Sequence, residues 1–227
     1  MRFKFLLITL LIAVTFSSCR SKGGKHINQG EIHYDISYVG EFAVSVDLLP
    51  KSLVVSFKED KILFEMTGLG KSGIINLANP ELEIYDTYYS FMTLKKYYAA
   101  EPGESFPGFN AMDKMEIKKT SKEAVICGYN CKNAIVSFPG TDGTYNIWYT
   151  REINVKNPNV ATPFEDIDGV LLSFFFKLGG SELHFNCENV YSMDIPDEVF
   201  KRRPHYDLVT KDDIVRFMNK MIKTIGS

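Results

Sequence analysis

Strong charge of either sign is missing from these 227 residues: 26 lysines and arginines stand against 28 aspartates and glutamates, a formal net charge of −2. Without a large basic field, a nucleic-acid partner is not expected. Histidine is scarce, limited to His26, His33, His184 and His205, and tryptophan to Trp148. The chain has no G-x-S-x-G elbow, no H-E-x-x-H pair, no phosphate-binding loop and no Rossmann glycine pattern. The usual nucleophile, zinc and nucleotide constellations therefore have nothing to build on, and no catalytic residue, metal site or cofactor is expected. His33 and His184 lie among Glu31, Asp35, Glu182 and Glu188; only their meeting in a cleft would give acid–base or metal chemistry. Zinc would need a fourth ligand beside Cys127, Cys131 and Cys187, and the spacing of the first two is not that of a zinc knuckle.

What is present begins at the N-terminus. Arg2 and Lys4 precede the apolar run Phe5 to Phe16, too short to span a bilayer stably, and the small residues Ser17-Ser18 before Cys19. That is the layout of a secretory signal. Phe16-Ser17-Ser18-Cys19 resembles a bacterial lipobox, which implies that Cys19 is acylated and becomes the new N-terminus. Two or three acyl chains anchor a protein stably, each buried CH₂ contributing about 0.8 kcal/mol. The expected organisation is a signal peptide over 1–18, lipidated Cys19 with a polar tether over 19–29, and one domain over 30–227. That domain is long enough to bury about 70% of its unfolded surface. The protein is expected to be lipid-anchored in the cell envelope. An acidic run after the lipidated cysteine is associated with surface delivery; Arg20 to Lys25 is basic, which favours the periplasmic face. Export permits a disulfide, and three thiols leave one over. A local Cys127–Cys131 bridge and a Cys131–Cys187 bridge are both open.

Period-2 alternation dominates the rest. Ile32, Tyr34, Ile36 and Tyr38 alternate with Glu31, His33, Asp35 and Ser37, predicting a half-buried first strand. Strands are predicted over Ser52–Phe57, Ile62–Thr67, Gly73–Leu77, Glu83–Tyr89 and Thr93–Ala99, with an irregular segment from Phe42 to Leu49. Two short ones follow around Thr120-Ser121-Lys122. Ala134, Val136 and Phe138, then Pro139 to Gly143, then Tyr145, Ile147 and Tyr149 read as a hairpin, since Gly and Asp supply the positive-φ positions of turns. Asn154 to Asp168 is a long loop, expected to act as a movable rim. Gly169 to Phe176 reads as a strand buried on both faces, and Glu182 to Tyr191 as its partner. Thr210 with Asp213 caps a terminal helix whose stripe is Ile214, Phe217, Met218, Met221, Ile222 and Ile225. The fold class is β-dominated α+β.

Gly30-x-Ile32-x-Tyr34, Gly128-Tyr129-x-Cys131-Lys132-x-Ala134, Ile147-Trp148-Tyr149-Thr150-x-Glu152 and Asp168-Gly169-Val170-Leu171-Leu172 occur in that order. This set resembles exported Bacteroidota lipoproteins related to the GLPGLI family, with Ile167-Asp168-Gly169-Val170-Leu171-Leu172 standing where the name-giving hexapeptide lies. Such proteins look like distant relatives of the LolA/LolB lipoprotein carriers. The resemblance implies a curved antiparallel sheet forming an incomplete barrel, plugged by loops and a C-terminal helix, that holds an acyl chain, lipid or lipoprotein on its concave face. Tyr34, Tyr38, Phe57, Phe64, Met66, Trp148, Phe174 and Phe176 are the wall candidates, in a chain with 17 Phe and 12 Tyr. The alternative is a structural or interaction lipoprotein with a filled barrel that docks an envelope partner; a hydrolase is a distant third. A monomer is expected.

Overall fold

The structure, a computed structural model, describes residues 26–40, 49–68, 72–178 and 181–226, with side chains in the last helix followed to Asn219. The expected signal, Cys19, residues 41–48 of the irregular segment and the side chains of the last three stripe residues of the helix lie outside what is described. The strands are β1 (Gln29–Val39), β2 (Ser52–Lys58), β3 (Lys61–Thr67), β4 (Gly73–Asn79), β5 (Ile84–Phe91) and β6 (Leu94–Ala99). Then come β7 (Glu116–Ile126), β8 (Tyr129–Ser137), β9 (Thr144–Thr150), β10 (Val170–Leu178), β11 (Ser181–Ser192), β12 (Asp207–Leu208) and one helix, α1 (Lys211–Gly226). Among the described residues the twelve strands form one unclosed sheet, ordered β12-β6-β5-β4-β3-β2-β1-β11-β10-β9-β8-β7. The β-dominated α+β class, the incomplete barrel and the terminal helix all hold.

Alternation decides the faces. In β1, Ile32, Tyr34 and Ile36 are buried while Asp35 and Ser37 are exposed. Pairing is already present before Gly30: Ile27 bridges Ile153, and Gln29 pairs with Lys58. In β10, Val170, Leu171, Leu172, Phe174 and Phe175 are all buried, as an uninterrupted apolar run requires. Gly169 opens that strand because a Cβ there would stand 2.7 Å from the carbonyl oxygen of Thr150.

Register shifts occur at His33/Tyr34, Leu171/Ser173 and Lys119/Glu123. Such bulges bend a strand and sharpen its twist, so a wide sheet curls instead of lying open. The two strands expected around Thr120-Ser121-Lys122 are the single strand β7, and the polar tripeptide is its bulge. Thr120 Oγ1 donates to Asn133 Oδ1 at 2.8 Å and fixes it. β7 is a free edge, and its exposed Lys118, Lys119 and Lys122 suit a strand that must not recruit another.

The chain after β11 clasps the opposite edge from both sides. Leu63, Ile75, Leu77 and Tyr88 form a second core on the face away from Ile62, Ala78 and Tyr85. Ile195 and Phe200 cover it, and Asn79 Nδ2 donates to the Phe200 carbonyl at 3.0 Å. Arg202 donates to both carboxylate oxygens of Asp86, from Nε at 2.8 Å and Nη2 at 3.0 Å. Tyr88 Oη donates to the same carboxylate at 2.6 Å and accepts from the Arg203 amide at 3.0 Å. β12 then pairs with β6 in parallel, so the sheet is not wholly antiparallel as expected. Thr210 caps α1, its Oγ1 accepting from the Asp213 amide at 3.2 Å. The helix returns to the first face, where Ile214 and Met218 pack on Ile74 and Tyr89.

Candidate functional site

The concave side is filled from the chain's own loops. Residues 100–115, between β6 and β7, bury Phe106 and Met112; residues 151–169, between β9 and β10, bury Phe164 and Ile167. The Phe106 amide donates to the Ala161 carbonyl at 2.8 Å and ties the two loops together. Asn159, itself buried, donates through Nδ2 to the carbonyls of Ile167 at 2.7 Å and Gly169 at 3.0 Å. The segment expected as a movable rim, Asn154 to Asp168, is therefore a packed and hydrogen-bonded plug.

The wall candidates divide accordingly. Tyr34, Phe57 and Phe174 are core: Tyr34 Oη donates to the Leu171 carbonyl at 2.7 Å, its ring meets Phe174 edge-on at 5.5 Å, and Phe57 has no exposure. Tyr38 is half-buried and donates to the Pro50 carbonyl at 2.7 Å. Trp148, opposite Ser173 and Asn133, packs half-buried on the fringe of the core. Of the candidates, Phe64, Met66 and Phe176 line an apolar crevice of about 60 Å³ that Phe109 and Met218 border. That volume is a few waters' worth, far below the several hundred Å³ of a site for a larger apolar ligand.

Outside the crevice lies an open groove of about 840 Å³. Its apolar floor includes Phe106, Met115 and Ile117, and Lys114, Lys118 and Lys119 rim it together with Asp113 and Asp166. Pro107 and Phe109 line both spaces. The Phe109 ring rests 4.5 Å from that of Phe176, so one aromatic layer separates groove from crevice. Beside it Gly108 takes φ 101°, a conformation glycine adopts freely, and a Cβ there would meet Met218 Cε at 2.4 Å. At one end of the groove Lys211 is neutralised by Glu104, which also accepts from Tyr98 Oη at 2.8 Å. The hydrogen bond from Lys211 holds the Glu104 carboxyl below its ordinary range, while burial and the bond to Glu104 push the Tyr98 phenol up to about 12.

The histidines stay apart. His33 bonds Glu31 at 2.9 Å and His184 bonds Glu182 at 3.1 Å, each within its own strand. His33 lies opposite Asn189, whereas His184 lies opposite Ser37, so the two do not meet. No group of His, Cys, Asp or Glu able to hold a metal occurs among the described residues. Cys127, Cys131 and Cys187 carry free thiols. Phe109, which lines both spaces, was not among the wall candidates. Its signal was available: Phe106, Phe109, Met112 and Met115 recur every third residue in a stretch otherwise marked as loop by Pro and Gly.

No protein-family model matches the sequence, and no curated protein does. Among solved structures, that of PNGF-II is similar at TM-score 0.52 and 18% identity, over 86% of this chain and 32% of that one. This chain thus spans about a third of PNGF-II, and at that identity the likeness concerns the fold alone. Lipoprotein LppX of Mycobacterium tuberculosis aligns over 74% of this chain and 89% of its own, at TM-score 0.30 and 10% identity. The LolA-superfamily protein NE2245 of Nitrosomonas europaea aligns over 77% and 90%, at 0.34 and 7%. Scores that low add nothing to the geometry.

Proposed function

We propose that this chain is a lipid-anchored envelope protein, held through Cys19 on the periplasmic face, that binds the apolar chain of an amphipathic ligand at the mouth of its half-barrel. The ligand is an acyl chain, a lipid or the acylated end of a lipoprotein, and the mechanism is carriage or sensing by a monomer, without covalent chemistry. The observation that supports this reading is the single aromatic partition. Turning the Phe109 ring off Phe176 would join the crevice of about 60 Å³ to the groove of about 840 Å³. The combined space has the size of a ligand site, with an apolar inner end in the crevice and a polar, lysine-rimmed mouth in the groove. Burial of the ligand's apolar surface supplies about 25 cal/mol per Å² before ordering costs. Lys114, Lys118 and Lys119 stand where an anionic head would emerge.

A second reading has its own support in the filled interior: a docking protein whose groove takes a partner's side chains while the barrel serves only as scaffold. Native mass spectrometry of the full chain after export, followed by lipid extraction, separates the two. A stoichiometric mass excess that extracts as lipid supports the carrier. A bare mass, with no uptake of added fatty acid or lipopeptide, overturns it in favour of docking.

A further inference from the structure

The turn between β7 and β8 consists of two residues, Cys127 and Gly128, because Ile126 pairs directly with Tyr129. Both have positive φ, 51° and 85°, the signature of a tight hairpin turn whose first position usually falls to Asn, Asp or Gly. A cysteine there is held in a conformation unfavourable for any residue with a Cβ, and such positions persist where their surroundings fix them. What fixes this one is β11. Cys127 Sγ donates to the Cys187 carbonyl oxygen at 3.1 Å, which brings the first thiol against the backbone of the second cysteine. In a flat sheet β8 and β11 would be three strand spacings apart, roughly 14 Å at about 4.8 Å each. The contact exists because the bulged half of the sheet curls until its hairpin tip touches β11, with β9 and β10 arching between. Cys131 is placed differently: it is 1% exposed and its Sγ points to the Tyr129 carbonyl within its own strand, at 3.5 Å.

We infer that Cys127 and Cys187 are a disulfide-forming pair, a covalent staple that locks the curl of the half-barrel, and that Cys131 is the thiol left over. This pairing differs from both of those the spacing leaves open. The oxidant is a low-molecular-weight disulfide of an exporting compartment. The half-exposed Cys127 loses its proton and attacks one sulfur of that disulfide, expelling the first thiolate and leaving a mixed disulfide on Cys127. Cys187, deprotonated in turn, attacks Cys127 Sγ, forms the S–S bond and expels the second thiolate. Two protein thiols are oxidised, one disulfide is reduced to two thiols, and the two protons pass to the departing thiolates. Burial raises both thiols above their ordinary range, so exchange is slow at neutral pH in the folded chain and quickest while it folds.

The test is oxidation of the full chain with glutathione disulfide, alkylation under denaturing conditions, and peptide mass mapping with and without prior reduction. The peptide carrying Cys187 is expected joined to that carrying Cys127 and Cys131, two mass units below the sum. The link should survive Cys131→Ser and disappear in Cys127→Ser. Reduction should lower Tm by roughly 10 °C in the wild type, for a closed loop of about 60 residues, and should leave Tm unmoved in the Cys127→Ser, Cys187→Ser double variant. A link lost in Cys131→Ser and kept in Cys127→Ser overturns the pairing. Alkylation of Cys127, Cys131 and Cys187 alike after oxidation overturns the staple altogether.

Discussion

Arg202→Ala is expected to destabilise the protein by about 3 kcal/mol and to release the C-terminal clasp. The Asp86 side chain has no solvent exposure, whereas that of Arg202 is 46% exposed. Removing the cation leaves a buried carboxylate with only the Tyr88 hydroxyl, a change that costs about 3–5 kcal/mol when both charges are buried. The partial exposure of the guanidinium puts this pair at the lower end, since water already shares its charge. Urea unfolding followed by circular dichroism measures the loss, and an unchanged m-value certifies that the denatured state is the same. Hydrogen exchange should show amides from Phe200 to the first turns of α1 opening faster, because β12 and the helix follow the clasp in the chain. Replacing both partners, Asp86→Leu with Arg202→Met, removes the stranded charge and should recover all but about 1 kcal/mol, the residue of the lost Tyr88 hydrogen bond. A single variant within about 0.5 kcal/mol of wild type, smaller than any hydrogen bond to a buried charge should give, would refute the reasoning. So would a double variant no better than the single.

Phe57→Ala removes a ring with no exposure from the middle of the main core, and should cost about 3–5 kcal/mol by urea unfolding. Acid should weaken the fold through Glu104 and Glu182. Lys211 holds the first carboxyl down; in the second, burial pushes upward but the hydrogen bonds from Tyr145 and His184 outweigh it. A folded pKa below the unfolded value of about 4.3 gives stability that is full above that value and lost as pH falls through the folded pKa. Tm should therefore decline below about pH 4.3, and Glu104→Gln should flatten that decline; a decline identical to wild type would show that the pair with Lys211 contributes nothing.

Much of the fold is written in local pattern. Ile32, Tyr34 and Ile36 alternate strictly, so β1 and its buried face could be named before its neighbours were known. Thr210 and Asp213 likewise announce α1, since a cap is chemistry confined to four residues. The legible part stops where curvature and long-range packing decide. Thr120-Ser121-Lys122 looks like a turn because polar residues serve turns and bulges alike, and only the partner strand distinguishes them. Asp207 and Leu208 pair with β6 although two residues carry no period at all. The candidate site suffers most from this. Phe57, Phe64 and Phe174 are indistinguishable as sequence, yet only Phe64 lines the crevice. Phe109, the ring shared by groove and crevice, lies on a loop whose position depends on the whole curl of the sheet. The three cysteines could be listed from sequence, but Cys127 meets Cys187 only because β9 and β10 arch.

The most direct test of ligand binding through the Phe109 partition is calorimetric titration of a long-chain fatty acid into the wild-type chain, Phe109→Ala and Phe176→Asp, each checked for a native circular dichroism spectrum. Saturation is expected at one ligand per wild-type chain. Lifting a ring from its aromatic neighbour costs about 0.5–1.5 kcal/mol, so Phe109→Ala should bind up to about tenfold more tightly. Phe176→Asp, which places a charge in the crevice, should not bind. No saturable binding by any of the three, or equal binding by Phe176→Asp and wild type, would contradict it.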